Sequence, residues 1–203
     1  MSFVFLKNTD NLLGKKLVDF FSQDEKNAVL ISEGNDLKLK LQDENVFVFN
    51  TQFLNESALL TEDYGAKLSD NLNKIFEMTN TICKALIESG KKGKIIFVTV
   101  NPSLGNTIDF PTAPINDEAI HSFVKTLAKE LTPFGIIVNA ICLDPVFEML
   151  DKSILKIFRR KMRVYAIQKS PTKLVEILDA FKYVLANDSH LFSGKIYYLG
   201  EGM

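Results

Sequence analysis

The side chains best suited to chemistry are few in this 203-residue chain and mostly isolated. Two histidines, His121 and His190, and two cysteines, Cys83 and Cys142, stand far apart, so they spell neither a metal site nor a disulfide framework. His121 falls in a predicted helix, where a solvated or hydrogen-bonded imidazole is expected. One dense group exists. Lys152, Lys156, Arg159, Arg160, Lys161, Arg163 and Lys169 crowd the stretch from Asp151 to Ser170, with Ile154, Leu155, Ile157, Phe158 and Met162 between them at helical intervals. One reading is a solvated helix whose apolar side covers a cleft. The other is a docking face for an acidic partner, because guanidinium groups bind carboxylate and phosphate in forked pairs.

The elements that must position any site alternate strand with helix, which argues for a parallel α/β sheet. Phe3–Leu6, Ala28–Ile31, Val46–Phe49, Ile95–Val100, Ile136–Cys142 and Lys195–Leu199 read as strands. Continuous apolar runs such as Val46–Phe49 suit strands covered on both faces. Leu12, Leu13, Leu17, Phe20 and Phe21 recur at helical spacing, and a long helix from Leu68 is closed by Gly90. A second long helix runs to Leu131 with Asn116 as its N-cap and Asp117 and Glu118 in its first turn, and Leu174–Leu185 is a third. Leu37, Leu39 and Leu41 alternate with polar residues. Only five residues separate them from Ile31, too few for a crossover of about a dozen, so an antiparallel return through Gly34-Asn35 is expected.

Length favours a single domain, 1–203, and 46% apolar residues can fill its core. A net charge of −1 gives no long-range attraction to nucleic acid or anionic membrane. The opening MSFVFLKNTD has no signal-peptide pattern, and no apolar run approaches the ~20 residues that span a bilayer. A cytoplasmic protein is expected.

The segment Gly93–Ile141, GKIIFVTVNPSLGNTIDFPTAPINDEAIHSFVKTLAKELTPFGIIVNAI, resembles the short-chain dehydrogenase/reductase family. The resemblance implies a Rossmann-like three-layer α/β/α sandwich with a mostly parallel sheet, here truncated on the adenine-binding side. Aligned through Leu127-Ala128-Lys129-Glu130-Leu131 and Val138-Asn139-Ala140-Ile141, the family's catalytic serine falls on Val100, its tyrosine on Ala113 and its lysine on Asp117. In the family tyrosinate donates the proton, while lysine lowers its pKa and holds the nicotinamide ribose. Alanine and aspartate do neither. Asn71 matches the family's relay asparagine, yet has no relay to serve. Tyr165 and Lys169 form the chain's one Tyr-x-x-x-Lys, about fifty residues too late, in the segment that covers the family's substrate cleft.

The resemblance implies similar losses at the cofactor. The family's Gly-x-x-x-Gly-x-Gly loop falls on Asn8, Leu12 and Gly14, so only the helix-packing glycine remains. Glu33 stands where an acidic residue binds ribose, and Asn50 where the family has Asn-Asn-Ala-Gly. Leu143-Asp144 replaces the family's Pro-Gly, with Asp144 facing the nicotinamide end. Asn8, Gly14, Glu33 and Asn50 are therefore vestigial cofactor positions, and no cofactor and no metal is expected.

Two readings of function follow. The first is a catalytically degenerate member serving as a structural or regulatory subunit or a binding module. The alternative is an NAD(P)-dependent oxidoreductase of the carbonyl or ketoacyl reductase type with relocated catalytic residues. The family's twofold four-helix contact implies a homodimer through helices 68–89 and 116–131, for which an active paralogue could compete. In ketoacyl reductases of this family acyl carrier protein docks near the basic segment, which makes an acidic carrier a second candidate partner.

Overall fold

The computed structural model describes residues 2–7, 12–23, 27–30, 41, 43–50, 63–100, 114–144, 146, 148, 152, 156 and 172–199. In chain order these form β1 (Ser2–Lys7), α1 (Leu12–Gln23), β2 (Asn27–Leu30), β3 (Glu44–Asn50), α2 (Tyr64–Ser89), β4 (Lys92–Val100), α3 (Pro114–Leu131), β5 (Ile136–Leu143), α4 (Leu174–Ala186) and β6 (Ile196–Leu199). The sheet has six strands in the order β2-β1-β3-β4-β5-β6. Every adjacent pair is parallel.

A strand sends successive side chains to opposite faces, and in this sheet both faces are apolar. Val46 and Val48 of β3 join Ile96 and Val98 of β4 beneath α1 and α4, against Leu13, Leu17, Ile177 and Phe181. Phe47, Phe49, Ile95 and Phe97 point the other way, against Ile75, Ile82 and Leu86 of α2 and Ile120 and Val124 of α3. Phe49 and Phe97 stack with centroids 4.9 Å apart. The expected three-layer Rossmann-like sandwich is therefore the observed architecture. β2 is the outer strand on the side that would hold adenine, among the described residues. The expected antiparallel strand lies outside the described residues apart from Leu41, which is not in a strand but packs against the α2/α3 layer.

Two helix starts differ from the sequence reading. α2 begins at Tyr64, four residues before Leu68. α3 begins at Pro114, so Asn116 is not its N-cap but an interior residue of its first turn. Proline at a helix start carries a preset φ and gives up an N–H that would have no partner there. The stops fall where expected. Gly90 takes φ 63°, and the amides of Gly90 and Lys91 close on the carbonyls of Ile87 and Leu86. Gly135 takes φ 69° after the 3-10 turn Thr132–Phe134.

The Val138-Asn139-Ala140-Ile141 stretch fastens the last strand. The Asn139 side chain accepts the Lys195 amide at 2.9 Å, Ala140 donates to the Lys195 carbonyl, and Gly194 donates to Val138. Among the described residues no helix is long and apolar enough to cross a membrane.

Candidate functional site

Open parallel sheets bind ligands beyond the carboxyl ends of their strands, where strand order reverses. Here the reversal lies at β1, which runs through α1 to β2 on one side and has β3 on the other. Asn50 ends β3 and is buried, while Val100 ends β4 beside Leu143, the end of β5. Asp144 follows, buried, its amide donating to the Leu199 carbonyl at 3.1 Å. The first turn of α3 closes this edge.

A buried polar group occupies the position. Asp117 is 3% exposed, and its carboxylate accepts the Val100 amide at 3.4 Å and the Asn116 side-chain amide at 3.2 Å. Asn71 of α2 donates to the Asn116 side-chain carbonyl at 2.8 Å. Asn71 is therefore more than a polar residue in a helix's early turns: it ties α2 to α3 and steers the amide that holds Asp117. Burying these groups is tolerable only because each finds a partner. Asp117 is thus a buried carboxylate that organises backbone at the end of β4.

One turn further along α3, His121 lies buried with a ring nitrogen 2.8 Å from the Thr99 hydroxyl. The sequence suggests a solvated or hydrogen-bonded imidazole at His121 and an N-cap at Asn116, and gives Thr99 no role. The available signal at His121 is spacing: it follows Asp117 by four, which puts both on one helix face. Burial is the main cause holding the His121 imidazole below its ordinary pKa, opposed by the Glu118 carboxylate. Burial likewise pushes the Cys142 thiol up to about 12, against a hydrogen bond from Thr99, and the Cys83 thiol up to about 11. Neither is a thiolate at neutral pH, so neither is a ready nucleophile or metal ligand. No group of three or more metal-binding side chains occurs among the described residues.

Gly14 lies buried in α1, which Leu12 opens. Asn8, Glu33, Ala113, Tyr165 and Lys169 lie outside the described residues. Of the basic segment, Lys152 and Lys156 are helical and exposed. A cavity of about 330 Å³ sits at the opposite edge of the sheet, between the amino ends of β3 and β4 and the end of α4. There Lys94 meets Asp188 at 2.5 Å and donates to the Leu185 carbonyl, which caps the helix end.

Residues 45–156, running from β3 through β5, match the family described as short chain dehydrogenase. The 3-oxoacyl-[acyl-carrier-protein] reductase FabG of Buchnera aphidicola is 26% identical over 78% of this chain and 66% of its own length. Glucose 1-dehydrogenase of Gluconobacter oxydans is 26% identical over 70% of this chain and 54% of its own. The chain thus spans between about half and two thirds of these relatives. A short chain dehydrogenase from Leptospira borgpetersenii, solved with bound NAD+, superposes with a TM-score of 0.75 at 15% identity, covering 98% of this chain and 91% of its own. The expectation of no cofactor is overturned: the matched family is one of dehydrogenases, and a protein of this fold holds NAD+. The loop pattern at Asn8 and Leu12 weighed too heavily, since ligands on such sheets rest on the carboxyl ends of several strands. Matched over more than half of its length, this chain belongs to the short-chain dehydrogenase family.

Proposed function

We propose that this chain is an NAD(P)-dependent oxidoreductase of the carbonyl or ketoacyl reductase type, folded as one domain over residues 1–203, with its catalytic groups relocated. The observation that carries the reading is the strand reversal between β1 and β3, which opens a crevice at the carboxyl edge of an all-parallel sheet. Gly14 is buried where α1 packs on the sheet, and Asn50 is buried at the end of β3, both compatible with a dinucleotide lying across that crevice. The bound cofactor would supply hydride transfer. Asp117 does not fit lysine's contact with the nicotinamide ribose, because its carboxylate is a hydrogen-bond acceptor for Val100 and Asn116. The proton must be handled by other residues.

Calorimetry with NAD and NADP tests this reading, together with turnover on a panel of ketones, aldehydes and sugars. The expected dissociation constant is below about 100 μM, roughly −5.5 kcal/mol. No heat at millimolar cofactor would reject it.

A degenerate, regulatory member is the second reading, favoured by the structural use of Asp117. Cofactor binding without turnover would select it. In either case the exposed side of α2 and α3 supports a homodimer. Phe76 is 54% exposed and meets Phe123 across the two helices in a tilted contact, ring centroids 4.2 Å apart, and Ile87 is also exposed. Large apolar side chains left on a helix-pair face mark association surfaces. Light scattering is expected to give twice 22.9 kDa. A monomer that co-purifies with an active paralogue would assign the face to that partner, and an acidic carrier protein would dock on the basic segment 152–169 instead.

A further inference from the structure

Glu118 and His121 stand three positions apart on α3, a spacing that brings both side chains onto one helix face. His121 is the buried member, 1% exposed, and Glu118 the surface one, its side chain 62% exposed. The imidazole reaches inward with Nε2, which lies 2.8 Å from the Thr99 hydroxyl. Its other nitrogen, Nδ1, is also buried and finds no hydrogen-bond partner among the described residues. Leaving a ring nitrogen buried and unbonded costs stability, which a ligand would recover.

The spacing of the pair decides what that ligand can be. Glu118 Oε1 lies 3.6 Å from Nδ1. An N–H···O bond spans about 2.7–3.2 Å, so the two atoms do not share a proton directly. A bridging water makes two such contacts at an ordinary angle, which sets its partners about 4.5 Å apart. A divalent transition ion needs less room. With bonds of about 2.0–2.2 Å to imidazole nitrogen and carboxylate oxygen, it spans 3.6 Å at an angle of about 120°, close to tetrahedral. The surroundings suit it. Burial holds the imidazole below its ordinary pKa against the pull of Glu118, so at neutral pH the ring has one lone pair to give. Thr99 is placed to accept from Nε2–H, the outer contact that fixes a metal-bound histidine. Tyr198 flanks the ring edge-on, 6.0 Å between centroids. Lys125 opposes positive charge here and limits the affinity.

We propose that Glu118 and His121 form a binding site for a divalent transition cation of the zinc or copper class, held through Oε1 and Nδ1. Because Glu118 sits at the surface, water completes the shell on the outer side. Two protein ligands make a moderate site, unlike the closed four-ligand sites that hold structural zinc. A nitrogen and an oxygen donor favour Cu2+ over Zn2+, and both over Mg2+ and Ca2+, which take oxygen shells. Bound, the ion fixes the imidazole tautomer that donates to Thr99 and so fastens the first turns of α3 to the end of β4. The site does not depend on the cofactor reading, and its test needs no cofactor.

Calorimetry of the 203-residue chain with Zn2+ at neutral pH tests this, alongside NMR of its two histidine rings. The His190→Asn variant assigns the ring signals. Zinc is expected to bind with a dissociation constant below about 100 μM and to shift the His121 signals. Glu118→Gln, a replacement at the surface, should weaken binding at least about tenfold, and His121→Gln should remove it. Mg2+ in place of zinc should leave the His121 signals where they are. The proposal is overturned if millimolar zinc does not move the His121 signals, or moves those of His190 alone. It is equally overturned if Glu118→Gln binds zinc as tightly as the wild type. Should His121→Gln not fold, the wild-type spectra and the Glu118→Gln affinity decide alone.

Discussion

Asp117→Lys is expected to cost about 3 kcal/mol or more of stability. The substitution removes the acceptor for two buried donors, the Val100 amide and the Asn116 side chain, and puts an ammonium where a carboxylate was 3% exposed. Each orphaned donor carries its full desolvation cost, about 1–3 kcal/mol. Lysine has only donors to offer, so it can satisfy neither. Asp117→Asn should cost less, because its carbonyl oxygen can still accept one of the two bonds. Urea unfolding at neutral pH measures both. A lysine variant as stable as the wild type would mean that the Asn71–Asn116–Asp117 chain is a by-product of packing. Asp117→Lys would also disturb the backbone amide that ends β4.

Phe181→Ala should lower stability by about 3–5 kcal/mol. Phe181 is fully buried in α4 and packs with Ile177, Leu13 and Leu17 against the face of the sheet carrying Val48, Ile96 and Ile141. Deleting the ring leaves a cavity between a helix and a six-stranded sheet, neither of which can close onto it without moving the other. Phe76→Ala is the informative contrast. Phe76 has the same chemistry but is 54% exposed, so the monomer should lose about 1 kcal/mol or less while association weakens. Unfolding midpoints at two protein concentrations separate the effects: the Phe181 loss is independent of concentration and the Phe76 loss is not. Equal losses for the two variants would place Phe76 in a monomer core.

The expectation about the cofactor shows where motif reading failed. The residues Asn8 and Leu12 argue against dinucleotide binding only if the loop alone makes the site. The crevice is a property of strand order, and the family match runs from β3 through β5, outside that loop altogether. Val100 as a strand end and Asp117 as a first-turn helix residue are legible in the sequence; the bond between them is not.

Local pattern by itself determined much of the frame. Unbroken apolar runs at Val46–Phe49 and Ile95–Val98 require strands covered on both faces, and both are. Gly90 marks a stop because a left-handed residue closes the last turn, and it takes positive φ. Asn139 was visible as part of a motif, although its bond to the Lys195 amide spans 56 positions. Only the tertiary structure decided the polar interior. Asn71 and Asn116 are 45 positions apart, and each alone reads as an ordinary polar residue of a helix's first turns. Asn116 was expected to cap α3; with its side chain drawn to Asn71 and Asp117, it lies inside a helix that Pro114 opens. Thr99 and His121 meet for the same reason. A periodic sequence specifies which face of each element turns inward. Which two polar groups then meet there depends on how the layers pack, and a buried polar group discloses its role only when its partner is in place.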